Sequence, residues 1–447
     1  MAPSIYKVMI PAFNLKEEIP LGIVNSVVIW LVASSAIFWG FLGDKGDRKQ
    51  LLLIGTLIWS TSLVFSPLVT NIIAWLIVEV VAAIGLGAIS SIGFSVIADY
   101  ISVKRRGIAF SFWTIAQSMG SAAGKAVAGF VVTELKTWWL PYILVSLGGF
   151  LLVFLYFFTI PPQRGATEEE LKGKVYNYTI KLNHIKIILK KPTNFLLMVM
   201  GFILQIIWGA FTWLPFIYGT KIADQFGCID PESKCTINAS FIGNIISALF
   251  WAGGFCAIIF AWLGDKLLKK TLKARPIICL IGLCIGAPMG MLAFSIPFDL
   301  SSVSGVNGSV NIIYAILGEL LGNRLFLIAA LVGFISIAFL SADNPNFLAL
   351  GSEVNLPEHR STGFGILTFI HGIGRGIGSM LVPIVATLLT PFFGSHNWFA
   401  SLSVISLLFI PTALCYVISF RYVEKDYSAM KQVLKERAEK LRNSNEK

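Results

Sequence analysis

The chain has 447 residues, of which 56% are hydrophobic and 13% charged. A soluble protein of this size carries about 25% charged residues, so an ordinary soluble fold is excluded. The formal net charge is +11, but the bases gather on alternate loops between long apolar runs, which excludes nucleic acid as the partner.

Apolar runs near 20 residues are long enough to cross a hydrocarbon core of about 30 Å as helices. They fall at 21–43, 51–70, 72–98, 107–133, 138–160, 194–219, 241–264, 275–298, 325–350, 363–390 and 397–420. A further apolar piece, 311–322, is too short to cross and reads as an interfacial or loop helix. With the loop after the first run inside, inner segments hold 27 of the 35 Lys+Arg, counting Arg275 at the inner edge of its run, and outer segments hold 6, while Lys125 and Arg375 lie deep within runs. That is the positive-inside bias of a membrane protein, and basic inner loops suit an anionic lipid surface. The expectation is a multi-pass protein of the cell membrane, monomeric, with a cytoplasmic carboxyl terminus.

Two stretches repeat. Leu42-Gly43-Asp44-Lys45, followed by Arg48-Lys49, matches Leu263-Gly264-Asp265-Lys266, followed by Lys269-Lys270. Asp99 precedes Arg106 as Glu353 precedes Arg360. The repeat predicts an all-α membrane protein of two pseudo-symmetric helical bundles, 1–160 and 194–423, joined by a cytoplasmic linker at 161–193 and followed by a tail at 424–447. The tail reads as a charged cytoplasmic helix or as disordered. Two runs precede Asp265 and only one precedes Asp44, so a first span is expected before residue 21, with an eleven-span protein whose amino terminus lies outside as the alternative. The eleven visible runs are therefore numbered 2 to 12 of an expected twelve.

The inner charges are expected to latch that side shut and to part when it opens. Asp44 would lie near Arg106, and Asp99 near Lys45 or Arg48. Asp265, Glu353 and Arg360 would be their counterparts. Acids also suit the positive N-terminal ends of helices. The plainer reading is membrane topology with incidental acids.

An ionisable group inside a span is costly and usually faces the bundle interior with a partner. Glu79 and Lys125 match in depth near the outer surface, as an outer gate pair or a plain stabilising pair. Asp343 and Arg375 match near the midplane, at about 1.5 Å of rise per residue, and are expected to pair there and bind substrate, with a buried structural ion pair as the alternative. Asn344 and Pro345 beside Asp343 suggest a broken helix of the kind that lines transporter sites. His371 could relay protons or be a packing residue. Trp213 could wall an apolar cavity. Cys228 and Cys235, in the outer segment GCIDPESKC, suit a disulfide, with two free thiols as the alternative.

Taken together, the inner-loop residues Gly40, Leu42, Gly43, Asp44, Lys45, Arg48 and Lys49 resemble the major facilitator superfamily's inner motif, with Asp47 departing at its second glycine. ADYISVKRRG and PEHRSTG are similar to the loops after spans 4 and 10 in that family. GFLGDKGDRK and WGAFTWLPFIYG look most like its spinster-like branch. The resemblance implies a secondary active transporter with alternating access. The substrate implied is a lysolipid, a sphingoid lipid phosphate or another amphipathic anion, with protons as coupling ion in some members. The branch's span-4 arginine falls on Glu79 and its nearby glutamate on Leu86. Its span-11 pattern reads His371-Gly-Ile-Gly374-Arg375, so its coupling chemistry does not carry over. The alternatives are a general small-solute or drug exporter of the same superfamily and a transport-inactive membrane sensor. No enzymatic activity is expected, because there is no Walker loop, no metal-ligand spacing and no nucleophile triad. No metal or cofactor is expected either.

Overall fold

A computed structural model of the chain describes all residues except 1–8, 10–11, 16–18, 136, 172–177, 179, 229–232 and 446–447. Among the described residues every regular element is helical. The first bundle holds α1 (Ile19–Lys45), α2 (Arg48–Val64), α3 (Ile72–Tyr100), α4 (Arg106–Leu135) and α5 (Leu140–Phe157). The linker carries α6 (Leu182–Lys190). The second bundle holds α7 (Pro192–Phe211), α8 (Leu214–Phe226), α9 (Lys234–Trp251), α10 (Ala257–Leu268), α11 (Ala274–Ser295), α12 (Ser309–Gly322), α13 (Arg324–Leu340), α14 (Asp343–Glu353), α15 (Arg360–Phe393), α16 (Asn397–Ser406) and α17 (Phe409–Ser419). The tail is a helix, α18 (Val423–Asn445).

Each of the eleven expected spans is helical. Ten are long and apolar enough to cross a membrane. The eleventh, α4, has 30 residues, about 45 Å of helix. The short piece is α12, whose 14 residues make about 21 Å. Spans 7, 8, 10 and 12 are each two helices in series. Pro215 follows the break at Trp213, Pro345 the break at Ser341–Ala342, and Pro411 the break at Leu407–Leu408. Proline lacks the N–H that would continue the ladder. Between α9 and α10 a tighter turn runs through Gly253 and Gly254.

Polar caps set several starts. Asp47 accepts from the amides of Lys49 and Gln50 and opens α2. Asn71 does the same for α3, and Asn323 for α13. Each such cap is worth about 1 kcal/mol. Phe38, Leu147, Leu151, Phe154, Leu331, Leu388 and Leu414 stay exposed. They form the apolar exterior that a bilayer requires.

The bundles meet along two seams. α1 packs on α15, and α4 packs on α10 and α14. Bare backbone makes the first seam close. A Cβ at Gly40 would stand 2.4 Å from the Ser361 carbonyl oxygen, and one at Gly365 would stand 2.4 Å from that of Ala36. A side chain at either position would force the bundles apart.

Candidate functional site

The inner ends of the two seams share one construction. Asp44, at the last turn of α1, is fully buried. Its carboxylate accepts from the backbone N–H groups of Ser361 at 3.1 Å and Thr362 at 2.6 Å. These open α15, in the other bundle. Asp265, at the end of α10, accepts from Gly107 at 3.1 Å and Ile108 at 3.0 Å, which open α4. Each acid therefore caps the positive end of a helix across the seam.

Arginines hold the acids in place. Arg48 bonds Asp99 and lies 3.2 Å from Asp44. Arg275 lies 2.6 Å from Asp265 and 2.8 Å from Glu353. Arg106 donates to the Ala98 carbonyl at 2.9 Å, and Arg360 to that of Ser352 at 3.0 Å. Both then reach one carboxylate in the linker. Arg106 lies 2.7 Å from Glu168 Oε1, and Arg360 binds the same oxygen. Arg360 also lies 3.0 Å from Asp99. The tail adds Lys431, 3.2 Å from Glu168 and 2.8 Å from Glu170.

Burial alone would raise the pKa of Glu168. The guanidiniums of Arg360 and Arg106 and the ammonium of Lys431 outweigh it and hold the group well below the usual carboxylate range. Burial would likewise lower Lys431, but Glu168 and Glu170 hold it above the ordinary lysine value. A charged joint at this end of the fold thus draws on both bundles, the linker and the tail.

One expectation changes here, and of two alternatives for Asp99 the Arg48 one is found. Asp44 does not meet Arg106, because the N–H groups of α15 occupy it and Arg106 turns to Glu168. Lys45 is exposed. Asp47 starts α2 immediately, which swings Arg48 rather than Lys45 back over the Gly43 carbonyl, at 3.3 Å. Lys269 and Lys270 are exposed too, and Arg275 takes the role in the second bundle. Arg275 and Glu168 were both missed from the sequence. Arg275 carried one readable signal, a lone base in the first turn of an apolar span. Glu168 lies in the linker and has no counterpart in the repeat.

Near the midplane, Asp343 and Arg375 are apart. Among the described residues no ion pair joins them. Asp343 accepts a hydrogen bond from the Tyr416 hydroxyl on α17. Arg375 donates from Nε to Gln205 Oε1 on α7 at 3.1 Å. Equal depth set their height but not their azimuth. At about 100° per residue, Thr368, His371, Arg375 and Ser379 share one flank of α15. Phe369, Ile373, Ile377 and Met380 share the opposite flank and line an apolar cleft with Trp30 and Ala33. Gly374 and Gly378 abut α7, while Gly372 and Gly376 abut α1. The polar flank lies between the faces that meet α7 and α1, and at His371 it meets Phe347 of α14.

Arg375 is exposed on that flank and has no carboxylate partner among the described residues. One turn outward, the Trp213 indole donates to the Ser379 carbonyl at 2.9 Å and stacks on Trp398, with centroids 5.9 Å apart. His371 leans on Phe347, with centroids 5.2 Å apart, and its Nε2 points at Gly201 with no hydrogen-bond partner among the described residues. Asn344 donates to Thr114 of α4 at 3.1 Å and so links the bundles. Glu79 lies on α3, but the side chain of Lys125 is outside the described residues, and so is that pair. Cys228 and Cys235 form a disulfide.

The Major Facilitator Superfamily model matches residues 1–379. The chain belongs to that superfamily. Spinster homolog 3 of Danio rerio is 25% identical to it over 311 residues, covering 67% of this chain and 61% of the relative. The sphingosine-1-phosphate transporter SPNS2 of Danio rerio is 24% identical over 273 residues, 59% of this chain and 52% of the relative. The chain thus spans about half to three-fifths of the curated relatives' length. Among solved structures, the human organic anion transporter MFSD10 (TETRAN) superposes with a TM-score of 0.59 at 13% identity, covering 92% of this chain and 89% of that one. That likeness is one of fold. The major facilitator proteins are transport proteins, in line with the expectation of a transporter rather than an enzyme. The two capped seams are the points where the superfamily's two halves meet in this chain.

Proposed function

We propose that the chain is a secondary active transporter that works by alternating access and carries an amphipathic organic anion, such as a lysolipid, with protons as the coupling ion. It acts as a monomer in the cell membrane with its carboxyl terminus in the cytoplasm, and its parts are the bundles 1–160 and 194–423, the linker 161–193 and the tail 424–447. The observation that carries this reading is Arg375, a guanidinium on the polar flank of α15 with no acid beside it among the described residues. A cation at that depth is stable only against water or an anion. A planar fork of N–H donors suits a phosphate or carboxylate head group. Trp213, stacked on Trp398 one turn outward, offers an apolar face for the rest of the molecule, and Asn344 and His371 line the inner approach. The likeness to a named sphingosine-1-phosphate transporter supports an anionic lipid.

A broader exporter of the same superfamily is the second reading, favoured by the same aromatic pair, which would accept many apolar groups. Competition in proteoliposomes separates the two. Lysophospholipids and sphingoid phosphates should compete, while sugars, amino acids and uncharged amphiphiles should not. Competition by uncharged drug-like amphiphiles with no preference for anions would move the choice to the broader exporter. No uptake of any probe would favour a transport-inactive sensor.

A further inference from the structure

We propose that Asp343 is the proton-binding site of this chain, and that its charge state sets the position of α14 and through it the inner joint. The proposal rests on the reading of the chain as a proton-coupled transporter and names the residue that would do the coupling.

Asp343 opens α14 just after the break in span 10. Its carboxylate accepts from the Tyr416 hydroxyl, with the Cys279 thiol as a second, weaker donor beside it. Tyr416 and Cys279 beside it are each 1% exposed, and the Cys279 thiol lies 3.7 Å from the Asp343 backbone carbonyl. Among the described residues no lysine, arginine or histidine lies within ion-pair distance of Asp343. The cation on α11, Arg275, is one turn away and committed to Asp265 and Glu353. The ionisable groups that face this end of α14 are therefore Tyr416, Cys279 and Arg275, with His371 against Phe347 one turn on.

A carboxylate held inside a membrane protein without a counter-charge is costly, and the same group as a neutral acid is not. A proton is the one counter-charge this surrounding leaves available. The hydroxyl of Tyr416 can serve both forms, because it donates to a carboxylate and accepts from a carboxylic acid. Asp343 as a residue is half-buried and stands at the break of span 10, the place from which a proton would reach it.

Position links the proton to motion. The next residue, Asn344, makes the bond to Thr114 in the other bundle. Asn346, one turn on, accepts from Arg275 at 3.2 Å and donates to the Phe260 carbonyl at 3.2 Å. Glu353 closes the same short helix on Arg275. One rigid element of 11 residues thus carries Asp343 at one end and a latch acid at the other. A two-state element biased at both ends is what coupling between distant sites requires.

The test uses the full chain and the proton itself as probe. Difference infrared spectra across a pH step should show the carbonyl stretch of a protonated carboxylic acid. Asp343→Asn should remove that band, and Tyr416→Phe should move it to higher frequency as the acid loses its partner. Spin-label distances across the inner seams should change with pH in the wild type, and that change should fall at least tenfold in Asp343→Asn. In proteoliposomes loaded with lysophospholipid, Asp343→Asn should keep exchange between two equal pools and lose accumulation driven by a proton gradient. A band that survives Asp343→Asn, or inner distances that titrate in it as in the wild type, overturns the proposal. If no transport is seen at all, the functional reading fails, while the infrared band and the distances still decide the proton site.

Discussion

Arg106 and Arg360, the equivalent arginines of the two bundles, donate to the same oxygen of Glu168. All three side chains are fully buried or nearly so. Glu168→Gln would leave both guanidiniums short of one charge in a dry site. Removing one partner from such a group costs about 3–5 kcal/mol. The closed inner side should lose most of that amount, and cysteine labelling of the inner seams should rise steeply. Labelling that stays at the wild-type rate would mean that Glu168 does not hold the joint.

The pH dependence of that joint has a definite sign. The pKa of Glu168 is depressed in the closed state, so its stabilisation is fully present above the ordinary carboxylate value of about 4.3. It is lost as pH falls through the lower, closed-state value. Between roughly pH 5 and 8 the Glu168 contribution should be flat. Inner-seam distances in Asp343→Asn should therefore be constant over that window and should give way only in strong acid.

Asp44→Asn and Asp265→Asn should act alike. Each weakens a cap on a helix of the opposite bundle and uncouples an arginine. An asparagine still accepts hydrogen bonds but leaves a buried arginine short of one charge, so each should cost about 3–5 kcal/mol, as at Glu168. The double variant should cost about the sum, since the two seams share no partner of either acid. Inner labelling rates in the three variants measure this. An effect confined to one seam would show that the repeat is not mechanically symmetric.

The tail should strengthen closure without being needed for folding. Met430 and Leu434 are buried against Leu171, Arg437 binds Glu358, and Asp426 accepts from the Thr193 amide at 2.9 Å. Burying an aliphatic side chain is worth about 1.5–3 kcal/mol. Deleting residues 424–447 should speed inner opening in labelling experiments and leave the helical circular dichroism per residue of the membrane part intact. Opening at the wild-type rate would make the tail a passive passenger.

Arg375→Ala should lower the affinity for an anionic lysolipid about ten- to a hundredfold, the range expected for lost hydrogen bonds to a charged group. Arg375→Lys keeps the charge but not the planar fork and should recover part of it. Equilibrium binding in detergent checks both. Equal affinity in Arg375→Ala would remove the head-group role.

The sequence carried the seams further than it carried the centre. Asp44 and Asp265 stand in repeated stretches, so their shared role was legible before any coordinates. Their partners were not, because backbone N–H groups leave no mark in composition. Glu168 was hidden by its place in a polar linker where any acid looks solvated. At the centre, hydropathy gave the depth of Asp343 and Arg375 but said nothing of the direction in which each side chain points. The break before α14 turns Asp343 toward α11 and α17, and Tyr416 then competes for it successfully. Gln205 had no signal beyond being a lone amide in an apolar run.

The ionised groups at the inner joint balance. Asp44, Asp99, Glu168, Glu170, Asp265 and Glu353 meet Arg48, Arg106, Arg275, Arg360 and Lys431, and Arg164, donating to the Gly43 carbonyl, makes the sixth base. The field across a membrane does work of about 2.3 kcal/mol per elementary charge per 100 mV, but only on net charge that moves. A joint that parts with equal numbers of both signs on the move is nearly blind to voltage. On the function proposed above, any electrical signature of the working cycle would come from the solute and from protons, and the sign of the current would report which of them carries the excess charge.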